Sequence, residues 1–173
     1  GADTYLGPEM KSTGEVMGID NNFQSAVAKA LEAAGLLVQR GGAVLLSIAD
    51  RNKKDAEPLI RALFAGECKF YATQGTAVMI EALGIPVAAV PKRLNEGHPN
   101  VVDLIQDGSV KAVVNTVTGN REALQDGFEI RRTAVEYGVP CFTSIDTARI
   151  AADALLDSDK SYSIKPFPEH RKG

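Results

Sequence analysis

Tryptophan is missing from these 173 residues, aromatics amount to only 6%, and there are just two cysteines and two histidines. Cys68 and Cys141 stand far apart with no CxxC spacing and no histidine companion, which argues against a zinc site and against a disulfide scaffold. An isolated thiol pair suits a reducing compartment, and the cytoplasm is the expected location. No segment approaches the roughly 18 uncharged apolar residues that a membrane span needs. A basic excess is lacking too: 19 Lys+Arg stand against 22 Asp+Glu, a net charge of −3, so a non-specific nucleic-acid binder is not expected. The sequence contains no GxSxG elbow, no GxxxxGK[ST] loop, no GxGxxG fingerprint and no HExxH. Binding without chemistry is therefore the default expectation. There is no initiator Met and no signal-peptide pattern, and the polar start at Gly1 suggests a piece cut from a longer protein.

What is present is a globular composition. With 45% hydrophobic residues the chain is not disordered and can pack one ordinary domain. Residues Gly1–Asp20 mix Gly, Pro, Ser and Thr and cannot form a core alone. From Asn22 the pattern turns helical, with Phe23, Val27, Ala30, Leu31 and Ala34 on one face. Gly35 and then Gly41-Gly42 end that helix and its connection. Five apolar runs follow, Ala43–Leu46, Phe70–Ala72, Val87–Val90, Ala112–Val114 and Val139–Phe142, with helical stretches between them. Because the runs are apolar throughout, burial on both faces is expected. The βαβ order calls for an α/β fold: a five-stranded parallel sheet in three layers, flanked by helices, of Rossmann type. Gly66, Gly84, Gly108 and Gly138 punctuate the helix ends ahead of each strand. A last Ala-rich helix is expected near Thr147–Leu156, and the charged tail Asp157–Gly173 is expected to be a loose terminus.

In such sheets ligands bind beyond the carboxyl ends of the strands. Those ends are polar here: Ser47 and Asp50-Arg51-Asn52-Lys53-Lys54, then Thr73-Gln74-Gly75-Thr76, Pro91-Lys92-Arg93, Asn115-Thr116-Val117-Thr118-Gly119, and Thr143-Ser144. Thr73 and Thr76 bracket a helix start, and Gly75 allows close backbone approach to an anion. Lys53 and Lys92 bring compact positive charge, so the set suits one phosphate monoester. Taken singly, each Ser or Thr reads first as a helix cap worth about 1 kcal/mol, and each Lys as a solvated surface residue. Recurrence at several strand ends points instead to a phosphate-bearing small ligand. Asn115 can read a ribose hydroxyl or a base edge. Asp126 can accept from either, or serve as a cap or an ion-pair partner. Arg131-Arg132 read as ion-pairing or interface residues, and His98 and His170, with no neighbouring acid pattern, as structural or exposed. Cys68 and Cys141 read as core thiols.

The segments GPEMKSTGEVMG (7–18), LLSIADRNKKDA, YATQGTA, VPKRLNEGHPN, VVNTVTG and IRRTAVEYGVPCFTS closely resemble the carboxyl-terminal end of the carbamoyl-phosphate synthetase large subunit, in order and over nearly the whole chain. The resemblance implies that residues 1–20 are the terminal strip of the preceding ATP-grasp synthetase unit. It further implies that 21–160 are an allosteric domain of methylglyoxal-synthase-like fold and 161–173 a loose tail. Such a domain is non-catalytic in itself and binds UMP, IMP or phosphoribosyl pyrophosphate. The parent is an ATP-dependent ligase that makes carbamoyl phosphate from bicarbonate, glutamine or ammonia and ATP, for pyrimidine and arginine synthesis. No cofactor is implied for this stretch, whereas the parent would use ATP with magnesium and potassium ions. Its partners would be the rest of the large subunit and the glutaminase small subunit, with no nucleic acid and no membrane. Lys53, Thr73, Thr76 and Lys92, beside Gly75, match the family's phosphate pocket. Ser47, Asn115 and Asp126 match positions near phosphate, ribose or base, and Thr143 a residue on the ornithine side of the interface. The family's Asn-Thr-Thr-Ser-Gly-Arg loop reads Asn115-Thr116-Val117-Thr118-Gly119-Asn120 here, with one extra residue before Asp126, which removes a hydroxyl and a charge near the base. The alternatives are methylglyoxal synthase itself and a non-binding docking domain. The lyase needs an aspartate after the third strand, where this chain reads Lys92-Arg93-Leu94-Asn95-Glu96-Gly97-His98.

Overall fold

In a computed structural model the chain is described over residues 21–92, 96–116 and 121–164, with backbone alone at 21–24, 121–126 and 158–164. The expected terminal strip, 1–20, lies outside the described residues, as do Arg93 and His170. The elements run α1 (Asn21–Ala33), β1 (Ala43–Ser47), a 3-10 turn (Asp50–Asn52) leading into α2 (Lys53–Ala65), β2 (Lys69–Thr73), α3 (Gln74–Ala82) and β3 (Ala88–Val90). Then come α4 (Val101–Gln106), β4 (Ala112–Asn115), α5 (Arg121–Glu136), β5 (Cys141–Phe142) and α6 (Ile145–Ile164). The strands form one parallel sheet in the order β3-β2-β1-β4-β5. The chain thus steps outward from β1 to β3, returns, and steps outward on the other side from β4. The switch point lies between β1 and β4.

Side-chain alternation along the strands divides the core in two. Val44, Leu46, Phe70, Ala72, Ala112, Val114 and Phe142 pack with Leu31, Leu59, Leu63, Ile80 and Ala151 on one face. Leu45, Val113 and Cys141 pack with Leu104, Ile105, Ile130 and Ala134 on the other. Helices α1, α2, α3 and α6 therefore cover one side and α4 and α5 the other. This is the three-layer, doubly covered parallel sheet that the apolar strands predict. Each fully buried Leu or Ile contributes about 1.5–3 kcal/mol through removal from water.

Three details depart from the sequence expectations. Among the described residues β3 is an edge strand with no strand beyond it, and Ala88 and Ala89 are exposed on it. Its brevity, between Pro86 and Pro91, protects the open edge. Helix α6 continues to Ile164, past the Asp157 at which a loose tail is expected, since nothing in 157–164 breaks a helix; residues 165–173 lie outside the description. The left-handed residue after α2 is Glu67 (φ 64), not Gly66 (φ −82). Gly66 is small for another reason: a Cβ there would stand 2.5 Å from Leu155 Cδ2, so α2 and α6 meet at this glycine. No helix among the described residues is long and apolar enough to cross a membrane.

Candidate functional site

The polar ends of β2, β1 and β4 lie side by side. Thr73, Ser47 and Asn115 are the last residues of these three neighbouring strands, and Ser47 is directly opposite Asn115 across the switch point. All three are buried. Polar groups belong in a core only with partners, and here they partner one another. The Thr73 hydroxyl approaches Ser47 Oγ at 3.4 Å and Thr76 Oγ1 at 3.5 Å. Thr76, only 1% exposed, accepts the Ile48 N–H at 3.0 Å. From the other side Thr116 accepts the Ala49 N–H at 2.7 Å. The two threonines brace the segment that leaves β1, so the hydroxyls form the floor of the site.

Helix capping does not account for Thr73. It occupies the N-cap position of α3, yet its side chain makes no cap hydrogen bond, and the first turn of α3 carries no acid. Asn52, at the N-cap of α2, makes none either, and its Oδ1 is buried without a partner. The α3 N-terminus thus opens at the carboxyl end of the sheet without a side-chain cap, with the partial positive charge of unsatisfied N–H groups. The 3-10 turn ahead of α2, by contrast, already pairs the Asn52 and Lys53 N–H groups with the Ala49 and Asp50 carbonyls. Lys53, the first residue of α2, lies against the start of α3, for its Nζ is 3.1 Å from where a Cβ on Gly75 would stand. An ammonium beside a helix N-terminus is electrostatically unfavourable unless an anion joins them. In this structure the exposed carboxylate of Asp50 pairs with Lys53. That contact lowers the Asp50 pKa below its ordinary value, through the hydrogen bond first and the charge second.

Other predicted residues divide. Lys92 follows β3, whose Val90 is opposite Thr73, and it is half-buried. Thr143 is half-buried just past β5, where its neighbour Ser144 accepts the Thr147 N–H at 3.1 Å at the start of α6. The backbone of Asp126 belongs to α5, but its side chain lies outside the described residues.

Two residues have roles that the sequence does not announce. Arg131, expected as an ion-pairing or interface residue, reaches the end of β4 instead: its Nη1 donates to Asn115 Oδ1 at 3.0 Å. His98 does have an acid neighbour. Its Nδ1 faces Asp103 Oδ2, while Asp103 and Asn100 form a capping box that starts α4. The Asn100/Asp103 spacing carries that signal in the sequence; sixteen residues separate Asn115 from Arg131, and nothing local links them.

Cys68 and Cys141 are buried free thiols, and burial pushes the Cys68 thiol up. No group of three His, Cys, Asp or Glu stands close enough to hold a metal among the described residues. A cleft of about 340 Å³ opens at the opposite, amino-terminal end of the sheet, lined by Gly35, Leu37, Lys111, Tyr137 and Pro140 among others. It gathers no cluster of charged or nucleophilic groups.

Comparison with known proteins agrees with this architecture. The family model described as "MGS-like domain" matches residues 55–143. The chain is 48% identical over 171 residues to the carbamoyl phosphate synthase large chain of Thermomicrobium roseum, covering 99% of this chain and 16% of that protein. It is 43% identical to the corresponding large chain of Synechocystis sp. over 171 residues, 98% of this chain and 16% of that one. It is 41% identical, over a matched stretch of 174 residues that takes in all of this chain, to the "Carbamoyl phosphate synthase large chain, C-terminal section" of Methanopyrus kandleri, covering 32% of that section. The chain thus spans between about a sixth and a third of these relatives. With half its length under the family model and the fold to match, the chain belongs to the MGS-like domain family.

Proposed function

We propose that this chain is the effector-binding, regulatory end of a carbamoyl-phosphate synthetase large subunit. It takes a phosphate-bearing nucleotide, UMP, IMP or phosphoribosyl pyrophosphate, at the carboxyl end of its sheet. One observation carries this reading: the Lys53 ammonium lies against an α3 N-terminus that has neither a side-chain cap nor an acid in its first turn. A dianionic phosphate complements both charges at once. In this reading Lys53, Thr73, Thr76, Lys92 and the Gly75 backbone hold the phosphate, and Ser47, Asn115 and Asp126 face ribose or base.

The chain itself carries out no chemical step. ATP-dependent carbamoyl phosphate synthesis, with its magnesium and potassium ions and its glutaminase partner, belongs to parts of the parent outside this chain. Thr143 faces the neighbouring synthetase unit, on the ornithine side. The effector acts by binding one arrangement of that interface better than another. The shift is limited to its differential affinity, typically ~1–3 kcal/mol.

Titration calorimetry with UMP, IMP and phosphoribosyl pyrophosphate tests the assignment. Saturable binding is expected, weakened at least tenfold by Lys53→Ala or Lys92→Ala, in line with hydrogen bonds to a charged group worth about 1.5–3 kcal/mol. Undiminished affinity in both variants would remove the phosphate pocket from this end of the sheet.

A further inference from the structure

Arginine has five N–H donors and no acceptor. The Asn115 atom that meets Arg131 Nη1 at 3.0 Å must therefore be the carboxamide oxygen, which fixes which way the amide is turned. Arg131 is the one side-chain hydrogen-bond partner that Asn115 has among the described residues. With its oxygen on Arg131, the amide NH2 of Asn115 is left on the other side of the carboxamide, and it is not a sealed, partnerless atom as Asn52 Oδ1 is. The arrangement is built tightly. Gly127 stands one turn before Arg131 on α5, and a Cβ there would meet Arg131 Nη1 at 2.8 Å and Asn115 Oδ1 at 3.1 Å. Only a residue without a side chain lets the guanidinium reach the end of β4. Asn115 itself is two strand spacings, about 10 Å, from Thr73, beyond the reach of the phosphate and level with the rest of a mononucleotide.

We propose that Arg131 is a positioning residue that sets the polarity of recognition. By holding the Asn115 oxygen it turns the amide NH2, a pure donor, away from itself and to the ligand, so the site selects an oxygen or nitrogen acceptor at this point of the sugar or base. Gly127 is the opening that allows it. The inference rests on the nucleotide reading above, and its test is arranged so that the two can fail separately.

The full chain is titrated with UMP, IMP and inorganic phosphate at about 0.5 M salt, where charge effects over two strand spacings are largely screened. Asn115→Asp keeps the bond to Arg131 but turns a carboxylate oxygen toward the ligand acceptor. It should weaken both nucleotides by roughly tenfold or more, and more than Asn115→Ala does, while inorganic phosphate stays within about twofold. Arg131→Met and Gly127→Ala should produce the same selective loss, and Arg131→Lys, still a pure donor, should recover part of it. Thermal unfolding of each variant separates this from a fold defect, since a merely structural tie between α5 and β4 would weaken phosphate and nucleotide together. If Asn115→Asp binds the nucleotides as well as the parent chain, or if Arg131→Met affects phosphate and nucleotide equally, the polarity assignment falls and the nucleotide reading stands. If neither nucleotide nor phosphate binds saturably to the parent chain, the nucleotide reading itself falls.

Discussion

The Thr76 hydroxyl accepts the backbone N–H of Ile48 at 3.0 Å and so ties the first turn of α3 to the exit of β1. Thr116 does the same for Ala49 from the end of β4, at 2.7 Å. The segment that delivers Lys53 to the start of α3 is therefore fixed from both sides, by α3 itself and by the residue that follows β4. Stability and ligand recognition share these atoms, which makes conservative substitutions informative.

Replacing Thr76 with Val keeps its shape and removes its hydroxyl. The Ile48 N–H would be left buried and unpaired, at a cost of about 1–3 kcal/mol. A lower urea midpoint at unchanged slope is the expected result, with Thr76→Ser losing clearly less. Equal midpoints for Thr76→Val and the parent chain would mean that this bond contributes nothing.

Asp50 competes with any anion for Lys53, to which it is paired in this structure. Asp50→Asn should tighten inorganic phosphate and nucleotide binding by roughly two- to fivefold, the scale of an exposed ion pair. The Asp50 pKa is lowered from 3.8, so the pair is intact above that value and dissolves as pH falls through the lowered one. Weaker binding by Asp50→Asn in calorimetry at neutral pH would show that Asp50 supports the site instead of competing for its lysine.

Much of the fold was legible because parallel strands covered on both faces leave uninterrupted apolar runs, and Val44–Leu46 and Ala112–Val114 are such runs. The site was legible at strand ends for a related reason: Ser47, Thr73 and Asn115 end strands that are otherwise apolar, or nearly so, and polarity at that register has few structural uses. The role of each hydroxyl was not. Thr73 has the spacing of a cap, and only the fold shows its side chain turned to Ser47 instead. Arg131 needs the rotation of α5 about its axis to find Asn115, and Glu67 takes the left-handed turn that Gly66 was suited to. Such facts depend on how elements meet, and no local pattern encodes them.

A pH effect is expected at the start of α4. Asp103 accepts the Asn100 N–H at 3.0 Å and faces His98, and its pKa is lowered chiefly by the His98 contact and then by the Asn100 backbone. A carboxyl whose folded value lies below its unfolded one stabilises the fold above the ordinary 3.8 and loses that contribution as pH falls through the lowered value. Asp103→Asn should therefore flatten the acid limb of a plot of melting temperature against pH. The effect is modest, since the His98 ring is 73% exposed and water screens the pair. An acid limb identical to that of the parent chain would dissociate Asp103 from acid unfolding.

Gly66 and Gly84 separate two reasons for glycine. Gly84 has φ +78 and nothing within 4 Å of a Cβ, so Gly84→Ala should cost about 1 kcal/mol or slightly more through backbone strain alone, whatever surrounds it. Gly66 has an ordinary φ of −82, and its constraint is the Leu155 side chain, with Cδ2 at 2.5 Å and Cγ at 3.3 Å from a Cβ. A leucine methyl can rotate away, but Cγ on one side and the Leu63 carbonyl at 3.4 Å on the other leave little room. Gly66→Ala should thus destabilise by about 1–3 kcal/mol by overpacking. In a Leu155→Ala background the same substitution should cost close to nothing, because the obstructing atoms are gone, and the coupling is readable from a double-mutant cycle of urea midpoints. An equal cost in both backgrounds would move the constraint from the α2–α6 contact into the backbone of the turn itself.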